Sequence, residues 1–187
     1  MRKLTKKQTK APTSELVHQR MKEGGLLGLC AGSLFLLLAL VTYSNADPGW
    51  SRTGLETSIH NSAGFIGAWS ADVLLYFFGF VAYLFPILIG AAAWLLFKSY
   101  RLQQATRGVW ILNIIGFVLI IASCCGLIDL LITINTGETL PGPSGGIIGN
   151  LLTKRLVPLL SVMGCGLVFS STLLIGITLG SGISWLK

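Results

Sequence analysis

Charge is what this chain has least of. Only 11% of its 187 residues are charged, where a soluble domain carries about a quarter. Most of the surface therefore does not meet water, and a soluble globular domain is excluded. Histidine is nearly absent, with only His18 and His60. Neither sits in an H-E-x-x-H pattern, so that route to a metalloprotease is closed. The four cysteines, Cys30, Cys124, Cys125 and Cys165, form no C-x-x-C pair and all fall in apolar runs, which suits small packing side chains rather than metal ligands. A G-x-x-x-x-G-K-[ST] phosphate loop is missing too, so no nucleotide cofactor is expected in these residues. No long-period repeat is legible in the sequence read alone.

What fills the chain instead is apolar: 52% hydrophobic residues, gathered in four uncharged runs at about 26–43, 73–97, 109–128 and 156–179. Each is near the ~20 residues that cross a bilayer core as a helix. The expected fold class is an all-α membrane protein with four transmembrane helices. The first run follows a long basic leader and is followed by three more, which sets it apart from a cleaved signal peptide. Residues 1–25 read as that leader, expected to be disordered, and 26–187 as one four-span membrane domain.

Lys and Arg set the expected orientation. Seven lie in the leader (Arg2, Lys3, Lys6, Lys7, Lys10, Arg20, Lys22), three between spans two and three (Lys98, Arg101, Arg107), and Lys187 ends the chain. The other two loops hold only Arg52, Lys154 and Arg155, and they carry or adjoin five acids, Asp47, Glu56, Asp72, Asp129 and Glu138. Both termini are thus expected in the cytoplasm. The basic leader reads as this determinant, also meeting anionic lipid, with DNA binding as the lesser alternative.

The first outer loop opens with "SNADPGWSRTG". Pro48 and Gly49 end the span and turn the chain, Asp47 stays on the acid-rich side, and Trp50 suits the headgroup level. Its second half, "IHNSAGFIGAWSAD", predicts a short helix, interfacial or dipping into the bundle, with Gly64, Ala68 and Asp72 on one face and Phe65 and Trp69 beside it. Asp72 is expected on the bundle side or at the rim, since an unpaired carboxylate facing lipid is costly. Pro86 predicts a kink in span two. Span three is expected to run past Asp129, and Pro158 to sit near the start of span four, where proline is tolerated. In the second outer loop Pro141 and Pro143 oppose helix, while Gly145, Gly146 and Gly149 permit turns. Two small-residue stripes, Gly24/Gly28/Gly32 and Thr172/Gly176/Gly180/Ser184, allow close helix approach, either within the bundle or between subunits.

"GPSGG" (Gly142 to Gly146) matches G-x-S-x-G, but in a Pro/Gly loop without a parallel sheet a turn explains it better than a nucleophile. An intramembrane protease would need Ser144 with His60 as base. Ion translocation would rest on Asp72 or Asp129, yet both flank spans, where anchoring or capping is cheaper.

Several stretches taken in order carry a resemblance. They are "DPGWS" (Asp47 to Ser51), "IHNSAGFIGAWSADVLLYFFGFVAYLFP" (Ile59 to Pro86), "LPGPSGGIIGNLL" (Leu140 to Leu152) and "GITLGSGISWLK" (Gly176 to Lys187). Together they resemble the N-terminal four-span membrane domain of FtsK/SpoIIIE-type DNA translocases, over about Leu26 to Lys187. The resemblance implies a bacterial inner-membrane protein at the division septum. It implies lipid and divisome membrane proteins as partners and a homo-oligomer, hexameric if it follows the family motor. ATP, Mg²⁺ and DNA would be handled by a motor C-terminal to this chain, so these residues are expected to be non-enzymatic, with no catalytic, cofactor or metal site. Asp47, Trp50, Asn61, Gly64, Ala68, Asp72, Gly145, Gly146 and Gly149 then stand out as partner or packing residues. The competing reading is a small polytopic transporter or channel subunit.

Overall fold

The computed structural model describes residues 12–52, 59–98, 107–132 and 140–181. The first eleven residues, Glu56, the basic loop around Arg101 and Gln103, Glu138, and the C-terminal stretch with Ser184 lie outside the described residues. The described chain is helical: α1 (Pro12–Val41), α2 (Gly64–Phe78), a 3-10 turn (Gly79–Tyr83), α3 (Leu84–Lys98), α4 (Arg107–Leu131) and α5 (Gly146–Ser181). Among the described residues four segments are long and apolar enough to cross a membrane: Glu23–Val41, Gly64–Trp94, Ile111–Leu131 and Gly146–Gly180.

Two of these are too long for one crossing, and here the structure departs from the sequence reading. The helix expected to be short and separate before Asp72 runs on to Phe78. The break comes at Gly79 (φ 57°), not at Pro86. Pro86 sits in the first turn of α3, where a missing N–H costs nothing. Gly67 packs against Ala39, and the Tyr83 hydroxyl donates to the Leu40 carbonyl at 3.1 Å. Sixteen residues separate Gly67 from Tyr83, about 25 Å if straight, yet both meet the last turn of α1. So α2 lies across the end of α1, and residues 79–98, about 32 Å long, match the length of one bilayer crossing by themselves.

The second long segment behaves the same way. Span four was expected from 156, but α5 begins at Gly146 and places Pro158 in its interior. The helix breaks at Ser161 (φ 61°, ψ 171°), three residues after the proline has removed a backbone donor. Ser161 Oγ accepts from Gly164 N at 3.5 Å and caps the helix that follows. Gly149 packs on Cys125 while the Phe169 ring packs on Gly126. A straight helix would hold these twenty residues ~30 Å apart. The first limb (146–160) therefore bends away from the spanning limb (162–181).

The two halves of the chain are built alike, which the sequence read alone did not reveal. Each half starts with a long helix, α1 or α4. A positive-φ glycine follows, Gly64 (φ 71°) or Gly146 (φ 66°), and opens a short helix. Fifteen residues later comes a positive-φ break, Gly79 or Ser161, and then a span.

Two clusters form the core. Ala39, Leu40, Ala71, Leu75, Ala82 and Leu140 join α1, α2 and the glycine loop. Val81, Ile121 and Cys125 join the 3-10 turn to α4. The most extensive helix pair is α4 with α5. There Gly116 faces Gly176 and Gly180 backbone to backbone, so the second small-residue stripe is used within the chain. Gly24, Gly28 and Gly32 have no side chain or other helix within 4 Å. The first helix also reaches back into the leader, starting at Pro12 rather than at Leu26.

Candidate functional site

Two polar clamps and one glycine junction gather at the end of the bundle where α1 finishes. The first clamp is Asp47, 4% exposed. Its carboxylate accepts the backbone N–H groups of His60 (2.7 Å) and Asn61 (2.8 Å), with His60 Nδ1 at 3.2 Å. Asn61 continues the chain of bonds: its Nδ2 donates to the Ala39 carbonyl at 2.8 Å, and its Oδ1 accepts from Ala63 N at 2.9 Å. Asn61 is thus pinned between Asp47 and the last turn of α1.

The second clamp is Asp72, 2% exposed on α2. Oδ1 accepts from the Tyr43 hydroxyl (2.9 Å) and from Ser51 Oγ (2.8 Å), and Oδ2 accepts from Ser51 N (2.6 Å). A carboxylate is affordable in so dry a place only when its lone pairs are filled by charge-assisted bonds, each worth about 1.5–3 kcal/mol. Burial, and then the adjacent Asp72 carboxylate, push the Tyr43 phenol well above its ordinary pKa. Tyr43 therefore stays a neutral donor. Gly49 packs on the Asp72 side chain, where a Cβ would come within 2.6 Å of its carboxyl carbon. Trp50, half exposed, meets the Tyr76 ring edge-on (centroids 5.3 Å) and lies tilted against Phe77 (5.5 Å), so one side of the expected interfacial anchor is packed on α2.

The glycine junction lies beside the two clamps. Gly79 meets Ser144 and Gly146; Gly146 meets Phe77 and Phe78; Gly145 and Gly149 meet Cys125 and Asp129. At each a Cβ would collide with backbone. Phe80 N donates to the Ser144 carbonyl at 2.9 Å, and Ser144 Oγ donates to the Ile132 carbonyl at 3.1 Å. Ser144 is buried with its proton committed to that carbonyl, and His60 is engaged with Asp47. This geometry is that of a turn, not of an activated nucleophile. Thr153 Oγ1 donates to Asp129 Oδ2 and ties α5 to α4.

Of the residues singled out from sequence, Asp47, Asn61, Ala68 and Asp72 are buried at one end of the bundle, and Gly145, Gly146 and Gly149 are buried in the junction beside them. Gly64 is different. No side chain or other element lies within 4 Å of where its Cβ would stand, so its requirement is backbone φ and not a groove. The packed glycine of that helix is Gly67, against Ala63, Asn61 and Ala39. Sequence reasoning also missed Tyr43, Ser51, Gly79 and Thr153. Tyr43 was counted into span one, and nothing in the spacing pairs it with a carboxylate 29 residues on. Among the described residues no group of three His, Cys, Asp or Glu side chains is placed to hold a metal.

Comparison with known proteins agrees with this architecture. The family model described as the 4TM region of DNA translocase FtsK/SpoIIIE matches residues 18–187. The chain is 38% identical to the DNA translocase FtsK of Shewanella oneidensis over 169 residues, covering 90% of this chain and 18% of that protein. It is 34% identical to that of Pseudomonas syringae pv. syringae over 190 residues (97% and 23%) and 37% identical to that of Vibrio vulnificus over 170 (90% and 17%). It thus spans about a fifth of the length of these relatives. No solved structure matches. With four apolar helices and a family match over nearly their whole length, this chain is a multi-pass membrane protein belonging to the FtsK/SpoIIIE DNA translocase family, in its four-transmembrane region.

Proposed function

We propose that this chain anchors a septal DNA translocase in the bacterial inner membrane and directs it to the division machinery, coupling division to chromosome segregation. The observation that carries the reading is the family match over residues 18–187 on a bundle with four membrane-length apolar helices. Both termini lie in the cytoplasm in this reading, which the distribution of Lys and Arg supports. The clamped end with Asp47, Trp50 and Asp72 then faces the periplasm. Its buried carboxylates hold Ser51, His60 and Asn61 and leave Trp50, Phe65 and Trp69 exposed for lipid or for divisome membrane proteins. The copies associate in the number the motor uses. ATP, Mg²⁺ and DNA are the business of a motor joined on the cytoplasmic side, and these residues catalyse nothing.

Three measurements test this. A fluorescent protein fused to the full-length translocase should mark the septum, and removal of this region should disperse it; septal fluorescence without the region would refute the targeting role. Thr53→Cys should label with an impermeant maleimide in intact spheroplasts, and Gln103→Cys only after permeabilisation. The reverse pattern would invert the orientation. A transport activity in vesicles, with normal division in its absence, would favour the transporter reading instead.

A further inference from the structure

The likeness of the two halves has a sequence trace once the structure aligns them. "SAGFIGA" (Ser62 to Ala68) and "SGGIIGN" (Ser144 to Asn150) are 82 residues apart and share Ser, Gly, Ile and Gly at matching places. The breaks Gly79 and Ser161 are also 82 apart. In the bundle the start of the second short helix sits on the break of the first: Gly146 on Phe77, Phe78 and Gly79, with Phe80 N donating to the Ser144 carbonyl.

The complementary junction is not made. Ser62 and Ile66, the counterparts of Ser144 and Ile148, are exposed, Ile66 at 72%, and Gly64 has nothing beside it. At the other break, Val162 and Met163 are the counterparts of Phe80 and Val81. Val81 is fully buried, whereas Met163 is 89% exposed. Leu159, counterpart of Phe77, is bare as well. The chain thus carries a used start, a used break, an unused start and an unused break, and the unused pair keeps the apolar character of the used pair.

A closed two-fold relation between the halves would satisfy both junctions within one chain. Since only one is made, the operation relating the halves does not close on itself, and repeating it leads to another molecule. We propose that a second copy of this chain docks head to tail here, the Ser62–Ile66 start of one copy seating on the Leu159–Met163 break of the next as Gly146 seats on Gly79 within the chain. The bond equivalent to Phe80 N to Ser144 O would run from Val162 N to Ser62 O of the second copy. All copies share one bilayer, so the axis relating them lies along the membrane normal, and the contact propagates around a ring or arc. This rests on the self-association part of the proposed function and names the surface that performs it.

Disulfide trapping tests it in membranes of cells making the full-length translocase, with the four native cysteines of this region changed to alanine. Ser62→Cys in one chain and Val162→Cys in a co-expressed, differently tagged chain should give a shift to twice the monomer mass on oxidation, as backbones hydrogen-bonded in this way stand within disulfide reach. Either variant alone should give only background, because a head-to-tail contact never brings like residues together. Phe80→Cys with Ser144→Cys in one chain should close an internal disulfide and checks the parent junction. Where the cysteine-free background misfolds, a photoreactive benzoylphenylalanine at Ile66 in the otherwise native protein should capture a peptide containing Met163 from another copy. Capture of lipid only, or dimers from Ser62→Cys alone, would overturn the junction, as would an open Phe80–Ser144 pair. Amine crosslinking run in parallel separates the two readings. Oligomers without the mixed disulfide overturn this surface alone, and monomers throughout overturn self-association too.

Discussion

The two halves of this chain reach one shape by different means. In the first half the end of the bundle is held by side chains: two buried carboxylates, Asp47 and Asp72, gather donors from Tyr43, Ser51, His60 and Asn61. In the second half it is held by the lack of side chains: Gly145, Gly146 and Gly149 let backbone lie on backbone. Hydrogen bonds tolerate small shifts, and a carboxylate can be replaced by a weaker acceptor. Steric contact between backbones tolerates no added atom. The glycine half should therefore be the more brittle of the two.

The largest effect is expected at Gly146→Val. It combines a left-handed backbone with a collision against Phe77 and should cost roughly 3 kcal/mol or more, seen as loss of monodisperse protein in detergent. Next comes Asp72→Ala, which strands the donors of Tyr43 and Ser51 and should cost about 2–4 kcal/mol in thermal unfolding. Asp72→Asn should recover part of that. If Asp72→Ala proved worse than Gly146→Val, the proposed difference between the halves would be reversed.

A third substitution pair sharpens the contrast within α2. Gly67→Ala adds a methyl into the contact with Ala63 and Asn61 and should cost about 1–3 kcal/mol. Gly64→Ala meets open space and should cost only about 1–2 kcal/mol for its positive φ. Tyr43 adds a pH signature. Its folded pKa is raised, so the stability it contributes is complete below about pH 10 and is lost as pH rises beyond that. Tyr43→Phe should flatten the alkaline limb of a stability profile. The smallest effect belongs to Gly28→Ala in the bare stripe of α1, expected within about 0.5 kcal/mol in a monomer.

By itself the sequence determined that this chain lives in a membrane, how many times it crosses, and which loops carry the turns. Those follow from uncharged runs of spanning length and from Pro and Gly between them, all of them local properties. It also pointed to Asp47 and Asp72, because a carboxylate beside a span must find donors. Which donors it found, Tyr43 and Ser51 rather than a helix start, only the tertiary structure decided, since they are brought in by a loop closing over 21 to 29 residues. The same holds for the helix breaks. The sequence put the kink at Pro86 and let Pro158 pass near a helix start, but Pro86 falls in a first turn and Pro158 in a helix interior, and that depends on where packing starts each helix. The repeat was hidden for a related reason. Its four shared residues specify a backbone conformation and a close approach, while the side chains around them diverged to fill a buried junction in one half and to stand bare in the other.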